Sequence, residues 1–283
     1  MPPRRRSTQS RIEVVPRPEV QWRGSRAPPR PRALPEVMHL DLSRATARKV
    51  KELRMVDFEV WFPAERDPRA SEGFYTLLQE DFYTAYQRMA IRDQRVCTLD
   101  AIVAAGGEAI QAMLTYLPGL ADLLGHLGHY VESRVREFYA SLWIDPDHRY
   151  IHFTFRGIDH RLQSGRAREL LGVTESDTCL HYLFFGDSDP PRRPHAGVVP
   201  SVDDVRCIFR QPFGECSCRL PRDLTPTAHL LNDVVRRTLL PRMGYIEGLT
   251  HMHQFVLYHL ISQTPLDIWD LILCEMEDTI VTP

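Results

Sequence analysis

A chain of 283 residues, 43% hydrophobic and 25% charged, holds enough apolar material for a sizeable core, which excludes a wholly disordered protein. It contains no run of about 18 apolar residues, and its Arg- and Pro-rich start lacks the apolar stretch of a secretory signal, so an intracellular protein without a membrane span is expected, in nucleus or cytoplasm. The net charge of −2 hides a division: residues 1–35 hold nine arginines against Glu13 and Glu19, a balance of +7 that leaves −9 for the remainder.

Residues 1–36 carry eight prolines and nine arginines with almost no apolar periodicity. Such a stretch buries too little surface to offset chain entropy, so a disordered tail is expected. Arg4, Arg5, Arg6, Arg11, Arg23, Arg26, Arg30 and Arg32 are its candidate nucleic-acid contacts, because each phosphate neutralised releases counterions whatever the base sequence. Only Lys49 and Lys51 among the 35 basic residues are lysine, so the arginine excess runs through the whole chain and also fits a solvated tail of biased composition.

From residue 37 to 283 the pattern is mainly helical, as one domain or as two lobes, 37–185 and 200–283, joined by a loop over 186–200. A short helix is expected within Ser43–Leu53, and the aromatic cluster Phe58, Trp61 and Phe62 should dock on the core. Phe74, Leu78, Phe82, Ala85 and Met89 mark a longer helix entered near Ser71. Helices over 99–117 and 119–126 follow, despite Gly106 and Gly107.

Residues 131–172 are the most legible. Val135, Phe138, Tyr139 and Leu142 have amphipathic helical spacing, and Asp145-Pro146-Asp147-His148 suits a type I turn. Tyr150 to Arg156 alternates as a half-buried strand, with Ile151, Phe153 and Phe155 inward and Tyr150, His152, Thr154 and Arg156 on a face open to solvent. Gly157 allows a second turn, Asp159–Leu162 a third strand, and Ser164 a helix cap before a helix ending at Gly172. The fold class is therefore mainly α with a small antiparallel β meander.

Beyond Gly172, Cys179–Phe185 is short and apolar, and residues 186–200 are loop by composition. A helix is expected from Ser201 to Phe209, and Gln211–Pro221 is irregular. Thr225-Pro226 caps a helix up to Leu239, Ile246–Ile261 supplies another, and Thr264-Pro265-Leu266-Asp267 repeats the capping logic before Ile268, Leu271, Ile272 and Met276.

Chemistry is harder to find. Asp177-Thr178-Cys179 and Asp187-Ser188-Asp189 lack the glycine of an aspartic-protease signature, and Asp203-Asp204 reads as a helix start rather than a polymerase carboxylate pair. The chain has no GxxxxGK[ST], GxGxxG or GxSxG motif. Cys207, Cys216 and Cys218, with His195, supply soft ligands, but Cys-x-Cys is not the usual zinc spacing and no metal site or cofactor is expected. His126, His129, His251, His253, Cys97 and Cys274 are expected to pack or face solvent, and the six scattered cysteines read as reduced thiols.

FYASLWIDPDHRYIHFTFRGIDHRL, followed by LTPTAHLLNDVVRRTLLPRMGYIEGLTHMHQFVLYHLISQTPLDIWDLILCEMEDTI, resembles the plant transposon protein domain of Athila-like, Gypsy-class grass retrotransposon proteins. The resemblance spans residues 73–280, through Arg136-Glu137-Phe138-Tyr139-Ala140, Arg156-Gly157, Leu239-Leu240-Pro241-Arg242 and Asp267-Ile268-Trp269. It implies an element-encoded Gag-like protein or a host gene derived from one, and the end at Thr282-Pro283 suggests a truncated copy. It brings no catalytic residue. The expectation is a non-enzymatic protein that self-associates, packages RNA or DNA through its tail, or both. The alternatives are a domesticated protein-interaction module with an apolar groove near Trp143 or Trp269, and an uncharacterised transposase-like or hydrolase enzyme.

Overall fold

A computed structural model of the chain describes residues 42, 45–89, 91, 98–125, 130–176, 205–210, 220–240 and 249–281. The tail over 1–36, the loop over 186–200, Cys179–Phe185, Asp203-Asp204 and the Pro241 break lie outside the described residues. The architecture is mainly helical with one three-stranded antiparallel sheet. In order the elements are α1 (Ala47–Arg54), α2 (Phe58–Trp61), α3 (Leu77–Gln87), α4 (Leu99–Tyr116), α5 (Leu120–Gly125), α6 (Glu132–Ser141), β1 (Trp143–Ile144), β2 (Tyr150–Phe155), β3 (Ile158–Gln163), α7 (Ser164–Leu171), α8 (Pro226–Thr238), α9 (His251–Ser262) and α10 (Ile268–Val281). Where a helix was expected over 201–209, the described part holds a 3-10 turn, Arg206–Ile208, and Phe209 bridges Leu224 instead.

Threonine hydroxyls start four of these helices by accepting an orphan backbone N–H. Thr76 accepts from Gln79 N at 3.2 Å, Thr98 from Ala101 N, Thr225 from Ala228 N and Thr250 from His253 N, each at 3.3 Å. Among the residues near Ser71 it is thus Thr76 that enters α3, while the Ser71 hydroxyl donates to Glu80. Helix α10 is capped by Asp267, which accepts from Asp270 N at 3.0 Å, while Thr264 turns its hydroxyl back to His259 Nδ1 at 2.7 Å. A carboxylate at that position also meets the positive end of the helix dipole.

The sheet lies between two apolar clusters, and the pleat assigns alternate residues to each. Trp143 and Tyr150 join an N-terminal cluster built from Val50, Trp61, Phe62, Phe74, Leu78 and Phe82. Ile144, Ile151 and Phe153 join the larger cluster. That cluster draws on both sides of residues 186–200, since α4 packs on α8 and α9. Because both faces of β2 are covered, the polar face expected to be open is not. His152 meets Phe62 at a tilt and Phe58 edge-on, with ring centroids 4.4 and 5.0 Å away, and Thr154 is fully buried with its N–H donating to Ser141 Oγ at 3.0 Å. Of the four residues expected on that face, only Arg156 is exposed, at φ 53°, beside Gly157 at φ 71° in the hairpin turn.

Two arginines lock the N-terminal cluster to this sheet by closing helix ends. Arg54 donates to the carbonyls of Tyr139, Ala140 and Leu142 at 2.8–3.1 Å, satisfying the end of α6 while its guanidinium lies over Trp61 and Phe82. Burial pushes this guanidinium down to about 10, which leaves it cationic at neutral pH. Arg136 does the same for α3, donating to Tyr86 O and Met89 O at 3.0 and 3.2 Å.

Candidate functional site

A dense buried polar group forms where the β1–β2 turn meets α10. The turn is built by its own sequence. Asp145 accepts from Asp147 N at 3.1 Å and Arg149 N at 3.2 Å, and His148 N donates to Asp145 O at 2.7 Å. Arg149 then grips the same carboxylate with two hydrogen bonds of 2.8 and 2.9 Å, and that carboxylate holds the guanidinium above its usual range. The result places His148 at φ 53°, a left-handed conformation that turns its side chain inward rather than to solvent.

His148 is 2% exposed, and its Nδ1 lies 2.7 Å from Asp270 Oδ1. Its Nε2 lies 3.1 Å from Glu277 Oε1, so a second carboxylate faces the other side of the ring. Asp270, Cys274 and Glu277 lie four and then three residues apart along α10, which stacks them on one helix face. The Cys274 thiol joins the group: one donor atom from each of His148, Asp270 and Cys274 lies within 4.8 Å of the others.

The surroundings hold this arrangement in place. Ser164 was expected to cap α7; instead its hydroxyl donates to His148 O and accepts from Trp269 Nε1 at 2.9 Å. Arg168 of α7 pairs with Asp267 at 2.6 Å. Trp143 donates to Val56 O at 3.1 Å and is 8% exposed, and Trp269 is 4% exposed, so neither indole lines an open groove.

Chemically, an imidazole between two carboxylates can hold a proton shared with both, or offer a nitrogen lone pair to a cation. Both ring nitrogens face carboxylates rather than the thiol, which is not how a base is set beside a cysteine nucleophile. Of the residues singled out in the sequence, Cys274 alone enters the group. Cys207 is exposed, and His253 is buried with Nδ1 2.7 Å from its own capping Thr250. Arg4, Arg5, Arg6, Arg11, Arg23, Arg26, Arg30, Arg32, Cys97, His126, His129, Cys179, His195, Cys216 and Cys218 lie outside the described residues.

His148, Asp270 and Glu277 were missed. The Asp-x3-Cys-x2-Glu face of α10 was visible in the sequence, but its histidine is 122 residues from Asp270 and carried no spacing signal. No helix among the described residues is long and apolar enough to cross a membrane. No family model matches the chain, and neither does any curated protein or solved structure.

Proposed function

We propose that this chain is a non-enzymatic, retrotransposon-derived Gag-like protein, with a helical body that self-associates and an arginine-rich N-terminal segment that holds RNA or DNA. The observation that carries this reading is the charge division, +7 over residues 1–35 against −9 over the rest. A basic arm on an acidic body binds phosphate without base recognition, and the body's own charge keeps the backbone of the nucleic acid off the folded surface. The resemblance over residues 73–280 supports an element origin, and the bidentate geometry of arginine suits phosphate oxygens.

The test is a salt titration of binding to single-stranded RNA and to duplex DNA. The full chain should bind both with little sequence preference, and the slope of log affinity against log salt should fall by about 0.7–0.9 for each phosphate contact removed. Replacing Arg4, Arg5, Arg6 and Arg11 by Gln should flatten the slope. A chain that stays monomeric at high concentration and ignores both nucleic acids in low salt is not a Gag-like packager.

A second reading, a domesticated protein-interaction module, rests on the adjacent exposed apolar side chains Tyr130 and Val131, 38% and 63% accessible, at the entrance to α6. Recovery of a protein partner that survives nuclease treatment and is lost on Val131→Asp would favour it.

A further inference from the structure

We infer that His148, Asp270 and Cys274 form a zinc-type metal site, with Glu277 as the outer carboxylate that orients the imidazole. The inference stands on this chain's geometry and does not rest on the Gag-like reading. Three kinds of donor, an imidazole nitrogen, a carboxylate oxygen and a sulfur, converge within 4.8 Å in the interior. Zinc bonds of about 2.0–2.3 Å in a tetrahedron separate neighbouring donors by about 3.3–3.8 Å. The 2.7 Å gap between His148 Nδ1 and Asp270 Oδ1 therefore needs only a small opening to admit the ion.

The donor set selects the metal. Thiolate with imidazole favours zinc over the oxygen-seeking magnesium and calcium. A carboxylate and a thiolate also balance a divalent cation, so the filled site is close to neutral where a buried net charge would be costly. Glu277 then takes a familiar place. Its Oε1 lies 3.1 Å from Nε2, on the far side of the ring from Asp270, where a metal-bound histidine commonly presents its remaining N–H to a carboxylate. Three protein ligands leave the fourth position to water or a small ligand.

The site would join the β1–β2 turn to α10, two segments brought together only by folding. Affinity for zinc would therefore add directly to the stability of the folded chain. The same residues without a metal make a protein-only cluster of one imidazole and two carboxylates, and the two arrangements differ in a measurable way.

The test is metal content of the full-length protein after incubation with excess zinc chloride and gel filtration, followed by cobalt(II) substitution. One zinc per chain is expected, along with a thiolate-to-cobalt charge-transfer band. Cys274→Ser should abolish the band, His148→Asn should abolish stoichiometric zinc, and Glu277→Gln should weaken zinc about 10–100-fold. Because Cys207, Cys216 and Cys218 offer competing thiols and a buried substitution can unfold the chain, a second protein keeps Cys274 and carries serine at the other five cysteines. That protein should retain both zinc and the band. Zinc that stays in Cys274→Ser and leaves with Cys216→Ser/Cys218→Ser overturns the assignment, as does a Cys274-only protein that takes up no metal or gives no thiolate band.

Discussion

His148 and Asp270 are 122 positions apart in the chain and meet at 2.7 Å in the interior, a polar contact that helps fasten the β1–β2 turn to α10. Truncating either partner leaves the other buried with part of its polarity unmet. In chelator-treated protein, His148→Ala and Asp270→Ala should each cost about 2–4 kcal/mol in urea unfolding. The double variant should cost less than their sum by about 1–3 kcal/mol. Strict additivity would mean the two side chains do not act together.

Arg54 supports the other cluster through hydrogen bonds to three carbonyls at the end of α6 and has its guanidinium over Trp61 and Phe82. Arg54→Ala should destabilise by about 3 kcal/mol or more, because the carbonyls and two aromatic faces lose their cover together. Arg54→Lys should restore less than half of this, since an ammonium cannot reproduce the planar fork. Equal stability of the Lys variant and the unsubstituted protein would locate the effect in charge alone.

Gly119 and Gly172 provide a comparison at two left-handed positions, φ 76° and 67°. A Cβ at Gly119 would stand 2.5 Å from Gly172 O, whereas at Gly172 the nearest atom is Gly119 Cα at 4.0 Å. Gly172→Ala should cost about 1 kcal/mol, the ordinary penalty of a left-handed alanine. Gly119→Ala should cost at least twice that, because backbone must move. Thermal unfolding of the two variants side by side tests the order, and a reversed order would show that the connection between α5 and its neighbours yields easily.

His259 is 3% exposed in α9, and burial holds its imidazole below the ordinary 6.5. The folded state therefore resists a proton that the unfolded chain accepts. Its contribution is complete above pH 6.5 and is lost as pH falls below that value. His259→Gln should lower stability at pH 8 by losing packing against Phe255, yet show a shallower decline between pH 6.5 and 5. The check is unfolding free energy of both proteins across that window, where a constant difference would contradict a ring held neutral.

Much of the architecture was legible locally. The helix–meander–helix order over 131–172 follows from apolar spacing, the Asp145-Pro146 turn and Gly157, and the structure has β1, β2 and β3 paired in that order. Thr225-Pro226 marked α8, and Phe58, Trp61 and Phe62 docked on the core as their aromatic area demanded, with Trp61 1% exposed. Within the Thr264–Asp267 capping segment it is Asp267 that caps, and neither Thr264 nor Ser164 does, because a hydroxyl near a helix start can cap it or bond elsewhere, and only the neighbours in space decide. Here those neighbours are His259, His148 and Trp269.

The sequence by itself determined periodicity, turns, caps and the separation of charge, all of which depend on residues a few positions apart. The tertiary structure alone decided what lies over each face. Alternation cannot say whether a strand's second face meets water or a second cluster, so Tyr150, His152 and Thr154 read as a surface, yet Thr154 is buried and the other two are half-buried against aromatic rings. Nor can helical spacing name the group that faces Asp270, Cys274 and Glu277, because His148 reaches them only after the turn and α10 have packed. Long-range polar contacts have no period in the chain; they arise when separately stable elements bury their remaining polar groups against one another.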